Sequence, residues 1–298
     1  MNLTSFLENK DVRERFRQEF EMPRLAVKKE ILAPPLSKRY SLIGTAFDYV
    51  IRFYIERVNP GAVTTRWVAE GSITNPLSPL LKDVVIDADT GKISYTETAL
   101  TKKARQIIEE AKTRYSEYLS SGQITTQLLA STLSLAQLDI VCRVGRVDEN
   151  LGMAHEEDIE DLRNLVSIVE PGLFRAKYLC LLNPTFGAAS HLVGGADADL
   201  LIDDTIIDIK TTKDLRLKGD DFNQLMGYFV LHEISGIGGL TPKPKVSKIA
   251  IYFSRYAYLH TFDVEDVVRA ETFGDFVGWF IDRAKHTSPH NRPIQPTD

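Results

Sequence analysis

One segment limits what this chain can fold into more than any other. From Gly194 to Lys213 it reads GGADADLLIDDTIIDIKTTK, two short apolar runs separated by Asp203-Asp204. An acidic pair between runs of Ile and Leu predicts a two-residue turn and an antiparallel hairpin. With Ile202 opposite Thr205, Asp199 falls opposite Asp208, and Asp197 opposite Lys210. Side chains alternate along a strand, so those four share one face. Ala198, Leu200, Ile207 and Ile209 share the other, suited to a core. A hairpin of this kind needs a packed layer behind its apolar face.

The surrounding chain supplies candidates for that layer. Leu42–Val58 has apolar residues at helical spacing and stops at Asn59-Pro60-Gly61. Thr98–Tyr118 reads as a partly exposed helix. Thr125–Val144, with Leu129, Leu133, Ala136 and Ile140 on one stripe, reads as a buried one. Glu156–Val169 opens on acids, favourable at the positive end of a helix dipole. Pro171-Gly172 ends that regime. Strand character then appears at Lys177–Leu182, Asp199–Ile202, Thr205–Ile209 and Val246–Phe253, with a helix over Asp221–Ile234 before the last strand. Asp263 and Asp266, close to a capping-box arrangement, precede a last helix ending near Lys285. The expectation is an α/β fold: a mixed central β-sheet flanked by helices, with a mainly helical N-terminal half. Residues 1–175 should pack on a core formed by 176–285. The polar, proline-bearing stretch 286–298 is expected to be a disordered tail. No internal repeat or sharp linker divides the chain.

Composition narrows the classes of function. Of 298 residues, 43% are hydrophobic and 26% charged, a globular balance that argues against disorder. No run approaches the roughly 20 apolar residues of a membrane span, so no membrane association is expected. The opening MNLTSFLENKDVRERF turns charged too early for an export signal, and the expected location is cytoplasmic. The net charge of −5 excludes a uniformly basic surface but not a local basic groove. Two cysteines, Cys142 and Cys180, cannot make a four-cysteine zinc or iron–sulfur site and read as small hydrophobes. The chain has no phosphate-binding Gly-x-x-x-x-Gly-Lys-Ser/Thr loop, Gly-x-Ser-x-Gly elbow or His-Glu-x-x-His helix. A calcium loop at Asp197-x-Asp199 fails because Leu201 and Ile202 fill positions that need a ligand and a glycine.

The charged face of the hairpin carries the chemistry. Carboxylates about 4.5–5.5 Å apart at Cβ repel, and one would ordinarily take up a proton. A divalent cation removes the conflict; Mg²⁺ takes oxygen ligands and keeps several waters. Lys210 then sets an ammonium beside the ion, where it could orient or help deprotonate a water, or stabilise charge on a phosphate oxygen. Such a cluster suits metal-assisted phosphodiester hydrolysis.

At these residues the chain resembles the PD-(D/E)XK nuclease superfamily. That family places an acid on one strand and Asp or Glu, any residue, and Lys on the next. Asp199 and Asp208-Ile209-Lys210 match, with Ala198 where the family has proline. Gly194-Gly195-Ala196-Asp197 makes Asp197 a rival first acid, in the Gly-x-x-Asp form of RecB-like members. Asp199 is preferred because it faces Asp208. Gln224-Leu225-Met226-Gly227-Tyr228 is similar to the Gln-x-x-x-Tyr motif of the RecB-like exonuclease branch, and its two polar residues share a helix face. Gly44-Thr45-Ala46-Phe47-Asp48 resembles that branch's Gly-x-x-x-His motif, with Asp48 in place of a metal-binding His. The resemblance covers Lys177–Lys285 and, more weakly, one helix of the N-terminal half.

The resemblance implies a restriction-endonuclease-like core, Mg²⁺ or Mn²⁺ as cofactor, and DNA as substrate, cut to leave 5′-phosphate ends. It implies Asp199 and Asp208 as metal ligands, with Asp48 and Asp197 as further candidates. Lys210 would assist the attacking water, and Gln224 and Tyr228 would position the strand. It also implies DNA repair, recombination or anti-phage defence, where a helicase or a defence-complex protein would be a partner. Blander roles stand beside these: Asp48 paired with Arg52, Tyr228 as a core aromatic, Gln224 in a helix-to-loop bond, His191 structural, and Lys213, Arg216 and Lys218 in a solvated loop. The acidic charge and the unmatched helical half support an alternative, a catalytically inactive nucleic-acid-binding or assembly module with the same fold. A hydrolase of RNA or small phosphate esters is a third class.

Overall fold

A computed structural model of the chain describes residues 2–64 and 67–287. Helices α1 (Leu3–Leu7) and α2 (Lys10–Glu19) precede the long α3 (Tyr40–Val58), which ends at its predicted turn triplet. Strand β1 (Val63–Thr64) and the one-turn α4 (Gly71–Thr74) lead to an antiparallel pair, β2 (Lys82–Ile86) and β3 (Ile93–Thr96). Helix α5 (Ala99–Ser121) starts on a Thr98–Thr101 capping box and stops at Gly122, whose φ of 73° lies in the left-handed region open to glycine. Helices α6 (Thr126–Val144) and α7 (Glu156–Ser167) complete the helical half. The remainder comprises β4 (Cys180–Leu182), α8 (Gly187–Leu192), β5 (Leu200–Ile202), β6 (Thr205–Lys210), α9 (Gly219–Ser235), β7 (Lys248–Phe253), β8 (Tyr258–Asp263), α10 (Val264–Val267) and α11 (Phe273–Thr287).

Six strands form one mixed sheet in the order β1-β4-β5-β6-β7-β8. The joins β1–β4 and β6–β7 are parallel; the others are antiparallel. A parallel join needs a crossover, and α9 supplies it between β6 and β7. Leu201, Ile206, Ile249 and Ile251 face a core shared with α1, α2, α9 and α11. Leu200, Ile207, Ala250 and Tyr252 face a second core built with α3, α6 and α7. Helix α6 is buried on more than its predicted stripe. Leu129, Leu133 and Ala136 enter the second core, while Leu128, Leu135, Leu138 and Val141 enter a third with α3 and α5. The α/β class with helices on both faces of a mixed sheet is as predicted.

The hairpin register is also as predicted, with Ile202 opposite Thr205, Leu201 opposite Ile206 and Leu200 opposite Ile207. The ladder stops at Leu200, and this moves two residues from their expected places. Ala198 donates its N–H to Pro184, and Asp197 bridges Thr185, so the chain swings toward the extension of β4. Ala198 therefore joins the α9-side core with Leu201, not the face of Leu200, Ile207 and Ile209. Asp197 leaves the position opposite Lys210, whose strand partner is Phe253.

Other expectations need correction. Strands β1 and β8 extend the sheet where none was predicted. Asp263 closes β8 and takes an ion pair from Lys248 at 2.7 Å, and its side chain caps no helix. Residues 2–20 lie on the opposite side of the sheet from α3: Phe6, Phe16 and Phe20 pack against Phe276 and Phe280. The change at residue 175 is one of element type, because the preceding residues contribute to both cores and to the sheet. Helix α11 runs to Thr287, two residues into the predicted tail, and the rest of that stretch lies outside the described residues.

Candidate functional site

The site is built where β5 and β6 leave their common ladder. Asp199 accepts a backbone bond from Asn183 at 2.8 Å through its carbonyl, which holds the segment in the sheet. Its carboxylate Oδ2 accepts the Ile209 N–H at 2.6 Å, replacing the next ladder bond with a side-chain bond. That bond fixes the acid across from β6 beside Asp208. The turn below is braced as well. Asp203, at φ 54°, accepts the N–H groups of Lys177, Tyr178 and Leu179, which hold its carboxyl below the usual range against the opposing effect of burial.

Alternation along β6 sends Ile206, Asp208 and Lys210 toward α9. There Lys210 Nζ meets three oxygens: Asp208 Oδ2 at 2.9 Å, Gln224 Oε1 at 3.0 Å and Asp221 Oδ1 at 3.6 Å. Gln224 donates its remaining amide to the Tyr228 hydroxyl at 2.7 Å, and Tyr228 stacks on Phe186 with centroids 5.6 Å apart. Gln224 and Tyr228 share a face because they are one helical turn apart. Asp221, one turn earlier on that face, was not singled out from sequence; its spacing from Gln224 is the signal that could have found it.

Helix α3 closes the other side. Gly44 lies against Thr211, just past β6, and a Cβ there would sit 3.8 Å from the Thr211 Cβ, an ordinary contact. Asp48, one turn further, is paired with Arg52 at 2.6 Å, as its bland role predicted, and its charge is also among those felt by Asp199. Asp197 is held at the rim by Arg143 at 3.3 Å, and the same guanidinium grips the buried Asp139 at 2.6 Å. Tyr49 donates to Asp139 at 3.2 Å and accepts the Ala69 N–H at 3.0 Å. Only the Asp139–Arg143 pair of this α3–α6 network is one helical turn apart; its links to Tyr49 and Asp197 form through tertiary packing and left no sign in the sequence.

The acids are in electrostatic conflict. Burial, then the charges of Asp208 and Asp48, push the Asp199 carboxyl well above the ordinary carboxylate range. Burial also raises Asp208 against the pull of Lys210, and raises Asp48 against the pull of Arg52. Burial works against the Lys210 ammonium, but Asp208 and Asp221 outweigh it and hold it protonated.

Two oxygens bear on whether a cation fits. Asp48 Oδ1 is buried with no hydrogen-bond partner, and Asp208 Oδ2 is in the same condition. The 2.9 Å approach of Lys210 to Asp208 Oδ2 is an ion pair out of hydrogen-bond alignment. Orphaned carboxylate oxygens beside a repelling acid suit a hard cation. No group of three or more His, Cys, Asp or Glu among the described residues encloses an ion site on its own. The two orphaned oxygens are hard donors of the kind a divalent cation that keeps several waters would take.

Among the other residues weighed, His191 lies on the exposed side of α8, and Lys218 pairs with Asp214 at 3.9 Å in an exposed loop. Neither cysteine is in a disulfide; Cys180 is buried and Cys142 half-buried. No helix among the described residues is long and apolar enough to cross a membrane. Comparison with protein-family models, with curated proteins and with solved structures found no match.

Proposed function

We propose that this chain is a divalent-metal-dependent deoxyribonuclease of the RecB-like PD-(D/E)XK kind. The observation that carries the reading is the convergence of Asp199, Asp208 and Lys210, with Lys210 tied through Gln224 to Tyr228. Asp199 and Asp208 would hold Mg²⁺ or Mn²⁺, with Asp48 Oδ1 as a further donor and Asp197 at the rim. The ion would supply a more acidic water and Lewis-acid stabilisation of the phosphoryl group. Lys210, kept protonated, orients the attacking water by donation and balances charge on a phosphate oxygen. Gln224, half-buried, would contact the sugar-phosphate backbone, and the buried Tyr228 holds Gln224 and through it the ammonium in place. Cleavage leaving a 5′-phosphate, and a helicase or defence-complex partner, belong to the same proposal.

Linear single- and double-stranded DNA incubated with Mg²⁺, Mn²⁺ or EDTA tests it. Metal-dependent cleavage lost in both Asp208→Ala and Lys210→Ala is expected; cleavage that persists in both removes these residues from catalysis. A second reading, a binding or assembly module that does not cut, is favoured by one observation. Arg52 and Arg143 already neutralise Asp48 and Asp197. Under that reading, DNA is bound equally in EDTA and Mn²⁺ and is never cut.

A further inference from the structure

A groove of about 830 Å³ opens between the start of α3 and the loop joining α6 to α7. Lys38, Tyr40, Ile140, Arg146 and Glu149 line it. Arg39 on its wall is spent internally, paired with Asp158 at 2.8 Å and Asp148 at 3.2 Å. Lys38 and Arg146 are exposed and form no ion pair among the described residues. Asp148 lines the groove as well but is paired with Arg39, which leaves Lys38 and Arg146 facing Glu149 among the described residues. Tyr40 stands 53% exposed, a large ring open to a stacking partner.

Helix α6 runs from the groove to the rim of the acid site. On α6, Ile140 lies one turn before Arg143, whose half-exposed guanidinium touches Asp197 at the site rim. Cations spaced along a groove beside an exposed aromatic make the usual platform for a single strand. Phosphates pair with Lys and Arg, and an unstacked base lies on the ring. An exposed ring stacks a base only when that base is free of its paired neighbours, so the groove suits a single strand and not a duplex.

Resting on the phosphodiester reading of the neighbouring site, we infer that this groove carries a single nucleic-acid strand away from the acids. Arg146 and Lys38 pair with the phosphates, and a base lies on Tyr40. The full chain in EDTA, titrated into fluorescein-labelled 15-residue oligothymidylate and followed by anisotropy at several salt concentrations, tests this. Lys38→Glu with Arg146→Glu should weaken binding about tenfold or more and lower the salt slope by about 1.4, the share of two single-strand phosphate contacts. Tyr40→Ala should cost at least about fivefold on oligothymidylate and nothing on an abasic oligomer of equal length. A hairpin duplex should bind more weakly than the single strand. Unchanged affinity in the double variant, equal loss on the abasic oligomer, or equal affinity for the duplex overturns the inference. Failure of the catalytic reading looks different: groove-dependent binding persists, but no cut appears with Mn²⁺. Cleavage that continues with wild-type affinity in the double variant removes the groove and spares the acids.

Discussion

Asp199 spends one carboxylate oxygen on the Ile209 N–H and brings its charge into a buried space already holding Asp208 and Asp48. Its carboxyl is raised in the fold, so between the unfolded value near 3.9 and the folded one the native state holds a proton that the unfolded chain has lost. That contribution is complete below the unfolded value and is lost as pH rises through the window. Asp199→Asn keeps an oxygen for Ile209 but carries no charge. In EDTA, urea midpoints of variant and wild type should converge near pH 4 and separate toward pH 7 in favour of the variant. A difference independent of pH would show that Asp199 is not strained by its neighbours. Gln224 acts one step removed, steadying Lys210 through a 3.0 Å bond. Gln224→Ala should lower kcat about 10- to 100-fold with little change in KM, as loss of a supporting contact around a metal site does.

At the scale of elements, how much the sequence reveals depends on the range of the forces involved. The hairpin is legible because its cause is local: the Asp203-Asp204 turn and the alternation on either side set the register. Gln224 and Tyr228 are legible because helix spacing alone puts them on one face. The meetings of Arg143 with Asp197 and of Asp139 with Tyr49 are not, because those partners lie 54 and 90 residues away in the chain and nothing in their neighbourhoods marks the contact. The strap before α3 is another tertiary product. Leu32 and Ala33 donate to the Arg255 carbonyl, and the Arg255 guanidinium pairs with Asp161 at 2.8 Å with both side chains almost wholly buried. Asp161 also accepts the N–H groups of Leu36 and Ser37, so one carboxylate joins α7, the strap and the end of β7. Asp161→Ala leaves a buried guanidinium unpaired and should cost about 3–5 kcal/mol in chemical denaturation. A loss below 1 kcal/mol would mean that water reaches the pair.

For the whole molecule, the helical half and the sheet are one construction. Helix α9, with α1, α2 and α11 packed into the same core, covers one face of the sheet, α3, α6 and α7 cover the other, and β1 is a strand of it. Removing residues 2–20 would bare Phe276 and Phe280, so that truncation should melt without a cooperative transition, whereas Gly44→Ala, facing an ordinary contact, should melt like wild type. The same interlocking lets α3 carry Asp48 to acids presented by the sheet and lets α9 answer from the other side. Mn²⁺ titrated into the intact chain and followed by the loss of its free-ion electron paramagnetic resonance signal asks whether that convergence grips a cation. One ion held by the wild type and released in both Asp199→Asn and Asp208→Asn is the expected result; equal uptake by all three proteins, or none by the wild type, would contradict it.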